Sequence, residues 1–192
     1  SIIINSAAAA NIVMLGAGYF TPLKGFMNKD DALGVASNMT TSEGLFWPVP
    51  ILNLVDDKSK IEVGSRVALL DPNVEGNPVI AIQKIDSVDF FSDDEINLMC
   101  EEIFRTTDTS HPGVETFSSL GKYALSGPIE VLNLSYFETD FPETFRTAST
   151  IRAEIIKRGW ETVVAFQTRN PMHRAHEELC KMAQEAVSAD GV

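Results

Sequence analysis

Two rhythms of apolar and polar residues divide the chain near Phe141-Pro142. Before that point, short apolar runs alternate with turn clusters. Residues 47–55 (WPVPILNLV) are apolar and end at Asp56-Asp57. Residues 61–70 follow, broken by Gly64, and residues 71–78 (DPNVEGNP) form a dense turn cluster. Residues 79–88 (VIAIQKIDSV) alternate as a strand does, and residues 129–134 (IEVLNL) form another strand, entered through Ser126-Gly127-Pro128. Helical spacing is rarer here. Residues 30–39 form one helix, capped by Asn28. Residues 93–104 form another: Ser92 caps it, Asp93, Asp94 and Glu95 suit its positive end, and Ile96, Met99, Cys100 and Ile103 line one face. Phe20, Phe26, Phe46 and Trp47 are read as core, and His111, before Pro112, as a loop residue. The expected fold of residues 1–145 is α+β, built round a curved or barrel-like sheet.

From residue 146 the rhythm changes. Residues 148–158 predict a helix with Ile151, Ile155 and Ile156 inward, Lys157-Arg158 in its last turn and Gly159 as its stop. Residues 162–166 (TVVAF) read as a short buried parallel strand, 167–171 as the loop after it, and 172–187 as a second helix. Helix, buried strand, loop, helix is the opening of a doubly wound α/β domain. Residues 146–192 supply one clear strand of it, so the chain is expected to stop inside that domain.

Composition narrows the function. Fifteen Lys and Arg against 27 Asp and Glu give a net charge of −12. The basic residues are scattered, which excludes the positive stripe of a nucleic-acid groove and argues against an anionic membrane face. A locally positive pocket for a small anion stays compatible with this charge. Residues 1–20 are apolar, yet Asn5, Ser6 and Asn11 interrupt them and no Lys or Arg precedes Lys24. That pattern suits a buried strand and helix, and neither a signal peptide nor a membrane span. Cys100 and Cys180 form no CxxC pair, and a reducing cytoplasm is expected.

The chemistry gathers in Gln167-Thr168-Arg169-Asn170-Pro171-Met172-His173-Arg174-Ala175-His176. The segment follows the expected strand, where open α/β sheets bind ligands. Arg169 offers a planar charged fork to a tetrahedral oxyanion, and Gln167 and Asn170 offer amide donors. Pro171 suits the first turn of a helix whose free amides would attract an anion. His173 and His176, three apart, would share one helix face about 4.5 Å apart along the axis. The set has donors but no nucleophile and no paired acid and base. Phosphoryl or nucleotidyl transfer needs that, because positioning and charge stabilisation carry most of it. The bland readings are a structural HxxH and a surface ion pair at Arg169. A zinc set of both histidines with Cys180 lacks a fourth ligand.

QTRNPMHRAH resembles the signature of ATP sulfurylase (sulfate adenylyltransferase), and its HxxH part is similar to the nucleotidylyltransferase HxGH motif, with Ala175 in place of Gly. The likeness extends through GAGYFTPLKGFM at Gly16, DPNVEGNP at Asp71, RTTD at Arg105, HPGV at His111 and SGPIEVLN at Ser126. The resemblance implies a PUA-like domain over 1–145 and the start of a Rossmann-like nucleotidylyltransferase domain over 146–192. It implies formation of adenosine 5′-phosphosulfate and pyrophosphate from ATP and sulfate, with Mg²⁺ accompanying ATP and no protein ligand for the ion identified. Gln167 and Arg169 would hold sulfate. Thr168, Arg169 and Asn170 would form the catalytic loop, with Asn170 near the α-phosphate. His173 and His176 would stabilise phosphate charge, and all six residues would line the site for ATP or phosphosulfate. The resemblance also implies a homo-oligomer at full length.

The family begins some tens of residues before Ser1. It also uses a later GRDH-like loop and an SGT-x-x-R-like segment. The 192 residues alone are therefore expected to have little or no activity. The alternatives are a nucleotidylyltransferase for another oxyanion acceptor and a non-catalytic PUA-like binding module.

Overall fold

One late strand organises the sheet of the N-terminal part. The computed structural model describes every residue from Ser1 to Val192. The chain folds into two compact units, Ser1–Phe145 and Arg146–Val192. The first unit runs β1 (Ile2–Ile3), α1 (Ser6–Gly16), β2 (Gly25–Phe26), α2 (Lys29–Asn38), β3 (Leu54–Val55), β4 (Arg66–Leu70), β5 (Val79–Lys84), β6 (Ser87–Phe90), α3 (Asp93–Phe104), α4 (Pro112–Ser118), β7 (Tyr123–Val131) and α5 (Phe137–Asp140). The seven strands form one mixed sheet in the order β1-β4-β5-β7-β2, with β3 and β6 also on β7.

β7 changes partners halfway. Its first half lies between β3 and β6: Ala124 pairs with Leu54 on one side and Asp89 on the other. Its second half pairs with β5 through Ile129 to Val131 and with β2 at Gly127 and Pro128. The exchange falls on Gly127-Pro128. Gly127 has φ +128°, and a Cβ there would run into the Lys84 carbonyl oxygen. Pro128 lacks an amide hydrogen and is tolerated where the ladder switches. Ser126-Gly127-Pro128 is therefore not the entrance to a strand at 129. It is the bend in the middle of one.

The other strand expectations need similar trimming. Of residues 47–55 only Leu54–Val55 pairs, because Pro48 and Pro50 deny the ladder two donors. The run 61–70 is strand only from Arg66. The run 79–88 is two strands, β5 and β6, turned at Ile85-Asp86.

Helices complete the core, with α1 against β7 and β5, and α2 against α3. α1 buries Ala8, Ala9, Ile12 and Val13, α2 buries Ala32, Val35 and Ala36, and α3 buries Ile96, Met99 and Cys100. Asn28 caps α2 by accepting from Asp31 N–H at 2.8 Å. At α3, Ser92 Oγ accepts from Glu95 N–H at 3.3 Å while the Glu95 carboxylate accepts from Ser92 N–H at 2.8 Å, a full capping box. His111 is more than a loop residue: its Nδ1 caps α4 by accepting from Gly113 N–H at 3.1 Å. Phe26 is buried, and Phe20 meets Trp47 edge to face at 5.5 Å against the core. Phe46, expected in the core, is 67% exposed. Inside the sheet, the fully buried Asn53 donates to Gln83 Oε1 at 3.0 Å, and Gln83 Nε2 donates to Leu125 O at 2.8 Å.

The second unit holds α6 (Ala148–Arg158) and α7 (Arg174–Ala186). Thr147 caps α6 through Thr150 N–H at 3.2 Å, and Gly159 ends it at φ +68°. Ile155 is half-buried, but Ile151 is exposed and Ile156 is 77% exposed, so of the expected inward trio residues 1–192 cover only Ile155. Residues 162–166 are not a full strand. They make one parallel bridge, Val163 to Gly191, with Val164 N–H donating to Gly191 O at 3.0 Å. A parallel strand draws its backbone bonds from neighbours, and this run has one partner residue here.

Candidate active-site loop

The loop hangs from a well-tied start. The Asp190 carboxylate accepts from Glu161 N–H at 2.7 Å and Thr162 N–H at 3.0 Å, and Asp190 N–H returns to Thr162 O at 2.9 Å. Those backbone donors hold its carboxyl below the usual carboxylate range. Gly191 lies against the Trp160 ring, where a Cβ would collide. Neither Asp190 nor Gly191 stood out in the sequence, since each acts through partners about 30 residues away. Val164 and Phe166 turn toward an apolar cleft of about 560 Å³, also lined by Ile155, Trp160, Met172 and Cys180.

Beyond Phe166 the chain turns outward. Gln167, Thr168, Arg169, Asn170 and His173 are exposed, and His176 is half-buried. Thr168 closes the loop on itself: its Oγ1 donates to Asn170 O at 3.2 Å and accepts from Asn170 N–H at 3.1 Å. That hydroxyl shapes the loop and fixes the backbone from which Arg169 and Asn170 project.

The helix start differs from expectation. α7 begins at Arg174, so Pro171 lies in the irregular approach and His173 is the N-cap. His173 Nδ1 accepts from Ala175 N–H at 3.3 Å, and His176 Nδ1 accepts from His173 N–H at 3.3 Å. His176 N–H donates to His173 O at 2.9 Å. The first-turn amides of Ala175 and His176 are therefore engaged within the chain, which leaves fewer free amides at this helix start than expected. With both Nδ1 atoms accepting, each neutral ring carries its hydrogen on Nε2. The positive end of the helix backs both rings, which strengthens those two donors. His173 is thus outside the helix and not on its face, yet the rings still meet, stacked at 4.0 Å and 30°. Phe166, read from sequence only as part of an apolar run, lies 5.7 Å from His176, ring to ring. Further along α7, Lys181 binds Glu177 at 2.8 Å and Glu178 at 2.9 Å.

These features define a class, a PUA-like sheet unit followed by a strand segment, a donor-rich loop and a helix. Over residues 1–134 the chain matches the model of the PUA-like domain and belongs to that family. Residues 142–192 match the ATP-sulfurylase family model. The whole chain is 60% identical to a sulfate adenylyltransferase of Alcanivorax borkumensis and 62% identical to one of Allochromatium vinosum, covering 48% of each. The chain thus spans about half the length of the curated relatives it matches. A solved structure described as a hexameric APS kinase from Thiobacillus denitrificans superposes with a TM-score of 0.73 at 26% identity, over 99% of this chain and 32% of that one. The resemblance read from QTRNPMHRAH and the upstream strings is borne out. No helix is long and apolar enough to cross a membrane.

Proposed function

We propose that the protein carrying this chain is a sulfate adenylyltransferase, in which residues 1–145 form the PUA-like domain and residues 146–192 open the catalytic domain. A sulfate oxygen attacks the α-phosphorus of ATP, the bond from that phosphorus to the bridging oxygen breaks, and pyrophosphate leaves. The reaction is reversible. The observation that carries this reading is the paired histidine cap, whose Nδ1 atoms accept backbone N–H and leave two Nε2–H donors, in the helix start that follows the exposed Arg169 and Asn170 in the chain. Charge grows on phosphate oxygens during the displacement, and donors already in place stabilise it without reorganising. His173 and His176 serve that role, Gln167 and Arg169 hold sulfate, and Thr168 sets the loop that aims Arg169 and Asn170. Mg²⁺ enters with ATP as part of the substrate, and no residue of this chain is assigned to it. The names of the relatives support the substrates, and two unpaired cysteines suit a cytoplasmic enzyme. We infer a homo-oligomer, in keeping with the hexamer named for the structural relative.

The test is ATP formation from adenosine 5′-phosphosulfate and pyrophosphate by the natural-length protein. Arg169→Ala and His173→Ala are each expected to lose on the order of 100-fold in turnover with folding intact. Wild-type protein that makes no ATP, or variants that keep full turnover, would sink the reading.

A further inference from the structure

His176, in the first turn of α7, is half-buried, whereas the donors of the loop before it are exposed, and an aromatic ring lies beside it. Phe166 stands 5.7 Å from the His176 ring at 45°, and His176 in turn stacks on His173 at 4.0 Å. Phe166 also lines the apolar cleft, with Trp160, Ile155, Met172 and Cys180. The imidazole thus has an apolar ring against it and a backbone amide on Nδ1, and it contacts the second donor. A single long hydrogen bond of 3.3 Å leaves an imidazole free to swing about its side-chain torsions. A ring packed beside it removes that freedom. A donor lost from line by about 1 Å can cost on the order of 100-fold in rate.

Resting on the function proposed above, we propose that Phe166 is a positioning residue: it holds the His176 imidazole in its Nε2–H orientation and, through the stack, steadies His173. It touches no substrate and transfers no proton. Sequence reading assigns Phe166 to an apolar strand, and nothing in that role requires an aromatic ring.

The experiment uses the natural-length protein with ¹⁵N-labelled histidine. Long-range ¹H–¹⁵N correlations report the tautomer of each imidazole, and ATP formation from phosphosulfate and pyrophosphate is measured beside them. Wild type is expected to show Nε2–H for both rings, with ring-to-ring Overhauser contacts from Phe166 to His176. Phe166→Leu keeps the apolar bulk. It is expected to give a tautomer mixture at His176 and a turnover loss on the order of tenfold to 100-fold, with KM for phosphosulfate moving less than about twofold. Phe166→Tyr is expected to restore both. A Leu variant whose His176 spectrum matches wild type overturns the proposal, whatever its activity. So does a wild type without the Phe166–His176 contact, a measurement that stands even if the Leu variant fails to fold. Wild-type protein inactive with sulfate chemistry sinks the enzyme assignment instead, and the imidazole spectra then decide the positioning role alone.

Discussion

Gln83 does more for the sheet than its polar side chain suggests. It is fully buried, takes the Asn53 amide at 3.0 Å and gives its own to the Leu125 carbonyl at 2.8 Å. It thereby ties β5, β7 and the approach to β3 with groups that have no water to fall back on. Gln83→Leu leaves the Asn53 amide and the Leu125 carbonyl without partners and is expected to cost about 3 kcal/mol. Asn53→Leu strands only Gln83 Oε1, and it removes Asn53 Oδ1, which has no partner in the fold. Its cost is expected to be smaller, and denaturant unfolding of the two variants gives the order. Equal losses would mean that the Leu125 bond contributes nothing. None of this was visible in the strings around Asn53 and Gln83, because a buried amide and an exposed one look alike in sequence. Arg169, His173 and His176, in contrast, stood out by residue type and spacing. What the string could not give was the direction of the hydrogen bonds at the two histidines, and so the Nε2–H donors.

Among the elements, the helices were the most legible. α3 was read to its terminal residues, since its cap, its acidic first turn and its apolar face are all local. Ser92→Ala is expected to lower stability by about 1 kcal/mol. Glu95 adds a pH dependence. The Lys29 ammonium, 2.6 Å away, and the Ser92 amide hold its carboxyl below the usual value of 4.5. The folded-state value is the lower one, so the stabilisation is complete above that usual value and fades as acid protonates the carboxylate. Thermal midpoints of wild type and Glu95→Gln are expected to differ at pH 7 and to converge toward pH 3. A gap unchanged by acid would remove Glu95 from this account. α7 was placed two residues early because histidine is not among the usual caps, and only the structure shows its ring doing that work. Strands fared worst. The pairs that define β7, β3 and residues 162–166 come from distant segments, and hydropathy along a short run carries no record of its partner.

At the scale of the whole molecule, apolar burial is uneven. Every residue of the buried core cluster lies between Ile4 and Leu125, while α6 and α7 bury none. Residues 1–145 expressed alone are therefore expected to unfold in one cooperative transition. Residues 146–192 alone are expected to melt gradually, without a heat-capacity peak, in circular dichroism and calorimetry. A sharp transition in the shorter piece would show that its apolar cleft closes into a core of its own.

The exchange of partners along β7 also sets an order of events during synthesis. β2, β3 and β6 each find a partner only in β7. The ribosome makes all three before Tyr123 exists. Until Val131 has emerged, the growing chain can complete β1, β4 and β5, but it carries three strands with open edges. Pairing Gly25 with Pro128 then closes a loop of about a hundred residues, a slow step in any chain. Nascent chains halted within that window display unpaired, apolar edges to one another. The polypeptide is thus most exposed to aggregation, and most in need of a chaperone, just before its organising strand arrives.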